Sequence, residues 1–366
     1  MDEIKLKVPK KNIFIIMAII ILAIIVVGFL LYNRTIPNPF KSSTTPSTTS
    51  GKAISADLIE ITASDCTDCY KITQVSDNFV KQNKITLKST KSIDYKSDEG
   101  KSVITKYKVT KVPAFVVISS NINDLPTKEA LTMEKDYAIF EKGVPYVDLS
   151  DSQVKGIVSM KEVYDPSCKD CVSLSPLKDQ LEKLGIVVKD YQAVESTGQE
   201  GKNLIKDNNL QFLPSLIMSK DVKEYWWFFD KLKPSLTETQ NYYVFNAPIP
   251  PYKDLGTGEL KGAVEITYLN DKSCADCYDS KTLKKAFSSF GILIKSERSV
   301  DVSSSEGKAL IDKYKITKVP TAILSKEISD YKSIKSVMDG MGTYESDGTF
   351  VYTNLDQLQV KYKTLS

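Results

Sequence analysis

Lys313-Tyr314-Lys315-Ile316-Thr317-Lys318-Val319-Pro320-Thr321 has a near-copy upstream in Lys106-Tyr107-Lys108-Val109-Thr110-Lys111-Val112-Pro113-Ala114, and a looser one between them in Asp207-Asn208-Asn209-Leu210-Gln211-Phe212-Leu213-Pro214-Ser215. Each copy ends an interval that begins with a Cys-x-x-Cys pair: Cys66/Cys69, Cys168/Cys171 and Cys274/Cys277. From the first cysteine to the proline the distance is 47, 46 and 46 residues. A Glu-Gly-Lys triplet recurs at Gly100, Gly201 and Gly307, each glycine 13 residues before its proline. A connector, Pro145-Tyr146-Val147-Asp148-Leu149 with Gly156, returns as Pro251-Tyr252-Lys253-Asp254-Leu255 with Gly262, and is expected to be absent after the third copy. Agreement of independent landmarks at one period means one structural unit used three times. The units are set at residues 53–150, 151–258 and 259–366.

Within each unit an apolar strand comes first: Leu58–Thr62, Ile157–Val163 and Ala263–Leu269. The Cys-x-x-Cys pair follows and is expected to open a helix, seen best in Leu177, Leu181 and Leu184 at helical spacing. Further strands are expected at 186–188 and 292–294, then after the X-Pro pair at Ala114–Ile118, Ser215–Met218 and Thr321–Leu324. A last hairpin strand is expected at Phe350–Thr353, past the turn Ser346-Asp347-Gly348. A second helix starts near each Glu-Gly-Lys triplet. Strands alternating with helices imply an α/β unit, a central sheet with helices on both faces.

This order, with the stretch that ends in X-Pro, resembles the thioredoxin-like superfamily, and several such domains in series resemble protein disulfide isomerase. The resemblance covers about 310 residues. It implies that the X-Pro bonds are cis, that Pro176 kinks the helix of unit two, and that Val112, Pro113, Leu213, Pro214, Val319 and Pro320 present backbone to an extended thiol substrate. It also implies a buried acid six residues before the first cysteine. Glu60 and Glu162 hold that spacing and are candidate proton acceptors for the second cysteine, unless they are strand carboxylates facing solvent. Glu265, in a similar Glu-Ile-Thr context, lies nine residues before Cys274.

Thiol chemistry suits the pattern. A cysteine at a helix start is near free N–H groups that favour its thiolate, the attacking species, and a second cysteine within reach resolves the mixed disulfide. An aspartate precedes every second cysteine: Asp68, Asp170 and Asp276. An anion so close costs the thiolate roughly 1.4 kcal/mol, against roughly 0.3–1 kcal/mol returned by a helix dipole. The expectation is thiols of ordinary acidity and sites that are not strong oxidants, unless the aspartates merely support a helix N-terminus. The aromatic run Tyr225-Trp226-Trp227-Phe228-Phe229 has no evident counterpart and reads as core packing or an interdomain contact rather than a substrate-facing patch.

Composition narrows the classes. There is no histidine, which removes the commonest general base and metal ligand. Net charge is +3, with acidic and basic residues interspersed, which argues against nucleic acid as a partner. All six cysteines fall in local pairs, and pairs a hundred residues apart are poor candidates for one zinc site. No metal and no cofactor is expected. Residues 13–32, IFIIMAIIILAIIVVGFLLY, carry no charge and are long enough to cross a bilayer. Lys5, Lys7, Lys10 and Lys11 precede them, and only Arg34 and Lys41 follow closely, so residues 1–12 are expected in the cytoplasm and the rest outside. The Ser/Thr/Pro-rich stretch 33–52 reads as a spacer. The expected function is a membrane-anchored, single-pass, extracytoplasmic thiol–disulfide oxidoreductase acting on exported proteins with an unidentified recycling partner. Two alternatives stay open: a binding module stapled by structural disulfides, and soft-metal capture.

Overall fold

The computed structural model describes residues 54–365. Unit one runs β1 (Ser55–Thr62), α1 (Ile72–Gln82), β2 (Thr86–Asp94), α2 (Asp98–Tyr107), β3 (Lys111–Val112), β4 (Ala114–Ile118), β5 (Thr132–Met133), β6 (Tyr137–Phe140) and a connector hairpin, β7 (Tyr146–Asp148) with β8 (Gln153–Lys155). Unit two runs β9 (Ile157–Tyr164), α3 (Pro176–Lys183), β10 (Val187–Glu195), α4 (Gln199–Asp207), β11 (Phe212–Leu213), β12 (Ser215–Ser219), α5 (Trp226–Leu232), β13 (Leu236–Glu238), β14 (Tyr242–Phe245) and a second connector hairpin, β15 (Tyr252–Asp254) with β16 (Leu260–Lys261). Unit three runs β17 (Ala263–Asn270), α6 (Thr282–Ser289), β18 (Leu293–Asp301), α7 (Ser305–Tyr314), β19 (Lys318–Val319), β20 (Thr321–Leu324), α8 (Lys335–Met338), β21 (Gly342–Tyr344), β22 (Phe350–Tyr352) and β23 (Lys363–Thr364).

The three sheets share one order, β2-β1-β4-β6-β5, β10-β9-β12-β14-β13 and β18-β17-β20-β22-β21. In each, the first two strands are parallel, so the chain must cross over between them, and a helix makes the crossover. Side chains alternate across β1. Ala56 and Leu58 pack with Ile72 and Phe79 of α1, while Ile61 packs with Tyr107, Val103 and Ile104 of α2 on the other face. Helices therefore cover both faces of the sheet, as the strand–helix alternation implies.

The parallel edge strands β2, β10 and β18 run to nine residues each, well past the short apolar segments that mark two of them in the sequence. Most of their side chains are exposed and polar, which blunts the sheet edge against foreign strands and also erases the apolar period. The Glu-Gly-Lys triplets fall in the first turn of α2, α4 and α7. Ser97 and Ser304 cap two of these helices by accepting the N–H of Gly100 and Gly307, each at 2.9 Å. The glycine is the part that geometry demands. A Cβ at Gly100, Gly201 or Gly307 would collide with the backbone carbonyl of Asp94, Glu195 or Asp301, where the preceding strand ends against the helix. Gly307→Val should therefore destabilise unit three by about 3 kcal/mol, read as a lower denaturant midpoint. A loss under roughly 0.5 kcal/mol, the range of ordinary surface changes, would refute the close-approach argument.

Two expectations about helices fail. The Cys-x-x-Cys pairs do not open helices. They lie in turns, and α1, α3 and α6 start only at Ile72, Pro176 and Thr282. Pro176 occupies the first turn of α3, where its missing N–H costs nothing, rather than kinking the helix. The apolar segment 13–32 and the spacer 33–52 lie outside the described residues. Among the described residues, no helix is long and apolar enough to cross a membrane.

Candidate functional site

Each Cys-x-x-Cys loop closes a disulfide with its two Cα atoms 5.4 Å apart. The loop begins with one tight turn, in which the N–H of Cys66, Cys168 or Cys274 donates to the carbonyl three residues back, on Ala63, Asp165 or Asp271. With the helix start several residues further on, the first cysteine has no helix N-terminus beneath it. The dipole stabilisation expected from the sequence is absent. Two of the three aspartates between the cysteines are held in ion pairs: Asp68 with Lys189 of unit two, and Asp276 with Lys361 at 2.9 Å.

The X-Pro bonds Val112-Pro113, Leu213-Pro214 and Val319-Pro320 are cis. Sulfur and proline meet. The sulfur of Cys171 lies 3.7 Å from the carbonyl oxygen of Leu213. In unit one Cys66, Cys69, Tyr70 and Pro113 line one cleft of about 300 Å³, with the Tyr70 hydroxyl donating to the Pro113 carbonyl. Burial pushes the Tyr70 phenol up, so it stays a donor.

The backbone next to each cis-proline is not open to a substrate. Val112 pairs with Val147 of β7, Leu213 with Lys253 of β15 and Val319 with Lys363 of β23, always antiparallel. The ladder continues at Leu149, Leu255 and Leu365, whose N–H groups donate to Thr110, Gln211 and Thr317. The same segment reaches the cysteine loop: the N–H after the second cysteine, on Tyr70, Val172 or Tyr278, donates to the carbonyl of Pro145, Pro251 or Lys361. Thus the substrate edge expected at Val112, Leu213 and Val319 is filled by the chain's own connector. The connector is also present in unit three, contrary to expectation, as Tyr362-Lys363-Thr364-Leu365 without its prolines. In units one and two the bonds Val144-Pro145 and Pro250-Pro251 are cis as well.

The cysteines differ in exposure. Cys66 and Cys69 are 8% and 5% exposed, whereas both cysteines of units two and three are half-buried. Glu60 and Glu162 are each only 4% exposed, so the solvent-facing alternative is ruled out. Glu60 accepts from the hydroxyls of Thr73, at 2.9 Å, and Ser76 on α1. Glu162 accepts from the Leu174 N–H at 2.9 Å and from the Tyr191 hydroxyl. Glu265 is exposed, and the register places Tyr268 where the other units have Glu60 and Glu162. Its hydroxyl donates to Glu297 at 3.0 Å. By register, Glu297 stands where unit two has Tyr191. Carboxyl and phenol have changed places between the two strands, leaving a phenol, not a carboxyl, in the interior of unit three.

The aromatic run has a structural role. Tyr225 is fully buried, donates to the Gly156 carbonyl at 2.6 Å and accepts the Val187 N–H at 2.9 Å. Tyr331 repeats both bonds in unit three, on Gly262 and Leu293, so the run has a counterpart that sequence reading missed. The expectation of core packing describes Tyr225 and Phe228, while Trp226 is half-exposed.

No protein-family model matches the chain, and no curated protein matches it in sequence. Among solved structures, ERdj5 form II is 12% identical over 81% of this chain and 43% of that chain, with a TM-score of 0.16. Full-length ERdj5 is 9% identical over 88% and 45%, with a TM-score of 0.17. Human ERp44 form I is 11% identical over 76% and 79%, with a TM-score of 0.14. The chain spans less than half the length of the ERdj5 chains it matches. Whole-chain superposition is loose at these scores, and each unit's fold rests on its own strand order and register.

Proposed function

We propose that the chain is a thiol–disulfide oxidoreductase of reductase or isomerase type, anchored by residues 13–32 and exchanging disulfides with exported proteins on the outer side of the membrane. The observation that carries this reading is the threefold recurrence of a closed Cys-x-x-Cys pair and a cis X-Pro bond, side by side in units one and two and bonded to one connector segment in unit three, with the cysteines of units two and three half-buried rather than sealed. In the reducing direction, a thiolate of the reduced pair attacks a substrate disulfide. One substrate sulfur leaves as a thiolate and takes a proton from water. The second cysteine then displaces the other substrate sulfur, closing the pair's own disulfide, so two electrons pass to the substrate. A dithiol partner must restore the pair.

The second reading, a structural staple in a binding module, is favoured in unit one alone, where both sulfurs are buried in an apolar cluster. Equilibration of the full chain with glutathione redox buffers, followed by acid quench and thiol counting by mass, separates the two. Units two and three should titrate within the glutathione range. If all three pairs stay oxidised at every buffer ratio, as structural bridges do, the oxidoreductase reading is wrong.

A further inference from the structure

Two places beside each disulfide change chemistry together across the units. The first is the residue three before the first cysteine: Ala63, Asp165 or Asp271. The second is the connector residue paired with the X of X-Pro: Val147, Lys253 or Lys363. In unit one both are apolar and belong to the cluster that encloses Cys66 and Cys69. In units two and three they form ion pairs, Lys253 Nζ to Asp165 Oδ2 at 2.5 Å and Lys363 Nζ to Asp271 Oδ2 at 2.6 Å. The aspartate side chains are only 7% and 6% exposed. Their Oδ1 atoms accept the N–H and hydroxyl of Ser167 and Ser273, the residues just before the first cysteines. Their backbone carbonyls accept the N–H of Cys168 and Cys274. Lys363 Nζ also lies 3.2 Å from Ser273 Oγ. The connector strand thus delivers an ammonium to the cysteine loop, and the aspartate fastens it there.

We infer that Asp165–Lys253 and Asp271–Lys363 are positioning pairs that hold Cys168 and Cys274 as thiolates at lower pH than Cys66, dividing the chain into two exchanging units and one whose disulfide is retained. The inference rests on the oxidoreductase reading. Reduction by an external thiol breaks the S–S bond in two steps, through a mixed disulfide. Two electrons come from two thiols, which leave as a disulfide, and the unit's sulfurs end as thiol or thiolate. A nearby ammonium favours the thiolate, and an apolar shell penalises it. Lysine and aspartate act on the sulfur with opposite signs, the larger effect is assigned to the lysine, and the double variant below reads their net. Other charges surround the sulfurs: Lys169 and Asp170 at Cys168; Lys272 and the Asp276–Lys361 pair at Cys274. At Cys66 the rim charges are themselves paired, Asp65 with Lys96 and Asp68 with Lys189.

The test uses the full chain with two of its three cysteine pairs replaced by serine, one unit remaining at a time. After reduction, the pH dependence of alkylation by iodoacetamide should titrate about one pH unit lower in units two and three than in unit one. Lys253→Met should raise the value in unit two, and Asp165→Asn should lower it. Asp165→Ala with Lys253→Val, which writes unit one's residues into unit two, should bring it to unit one's value and change the glutathione equilibrium constant about tenfold. Equal titration in the three unsubstituted units overturns the inference without any variant having to fold. So does an unchanged value in the double variant, or movement of both single variants in the same direction. If the thiols titrate as expected yet no pair exchanges with protein disulfides, the oxidoreductase reading fails and the ion-pair assignment stands.

Discussion

Cys171→Ala or Cys277→Ala should turn its unit into a trap, with exported proteins held on Cys168 or Cys274 as mixed disulfides, while Cys69→Ala should trap little. The second cysteine is three residues from the first and is held within bonding distance by the loop. Such a partner acts at an effective concentration far above millimolar external thiols, so its loss should lengthen the mixed disulfide's lifetime by on the order of a thousandfold. Unit one should differ because Cys66 is 8% exposed in an apolar cluster, so the cleft that it lines offers an incoming chain little of its surface. Non-reducing electrophoresis of alkylated whole cells, with mass identification of the trapped partners, reads the result. If Cys69→Ala captures as much as the other two, burial does not silence unit one. If none of the three captures anything, the disulfides are staples.

The threefold unit, its strand–helix alternation and its cysteine–proline interval were legible because each leaves a mark at fixed spacing. The cysteines and X-Pro pairs keep one interval, and strands such as Ala114–Ile118 are apolar on both faces because helices cover both. What escaped has physical reasons. β2, β10 and β18 are polar along most of their length, so β2 goes unannounced and only the apolar starts of β10 and β18, at 186–188 and 292–294, mark those two. Leu177, Leu181 and Leu184 mark the helix but not its first residue. The chain uses Ser173 and Ser175 as a turn before Pro176. The third connector was hidden by the loss of its prolines, yet its Tyr-x-x-Leu spacing survives: Tyr146 to Leu149, Tyr252 to Leu255, Tyr362 to Leu365. Aligning the units on that spacing places Val147, Lys253 and Lys363 in one column, and aligning them on the first cysteines places Ala63, Asp165 and Asp271 in another. The exchange of Glu162 and Tyr191 for Tyr268 and Glu297 was beyond reach, because it requires knowing which residues face each other across two strands.

Removing residues 360–366 should raise exchange at unit three with unfolded-protein disulfides far more than with a small disulfide such as oxidised glutathione. In the intact chain β23 occupies the backbone edge of Val319, Leu365 donates to Thr317 at 2.7 Å, and Tyr278 donates to Lys361 at 3.1 Å. Three to four backbone bonds at about 1 kcal/mol net apiece put the open edge at roughly one molecule in several hundred. An extended polypeptide that needs this edge binds only the open fraction, so its apparent affinity should rise by roughly a few hundredfold when the strand is gone. A small disulfide needs only the sulfur and should change by the altered charge alone, since Lys363 and its bond to Asp271 go with the strand. The ratio of the two rates separates these effects. Melting curves guard against simple unfolding, because Val360 and Tyr362 also pack against the unit's core. Units one and two cannot be opened this way: their connectors lead on into the next unit, and opening them requires the neighbouring units to move apart. A ratio unchanged in a variant that still melts cooperatively would mean that polypeptides approach the sulfurs from another side and that the strand beside the cis-proline is purely structural.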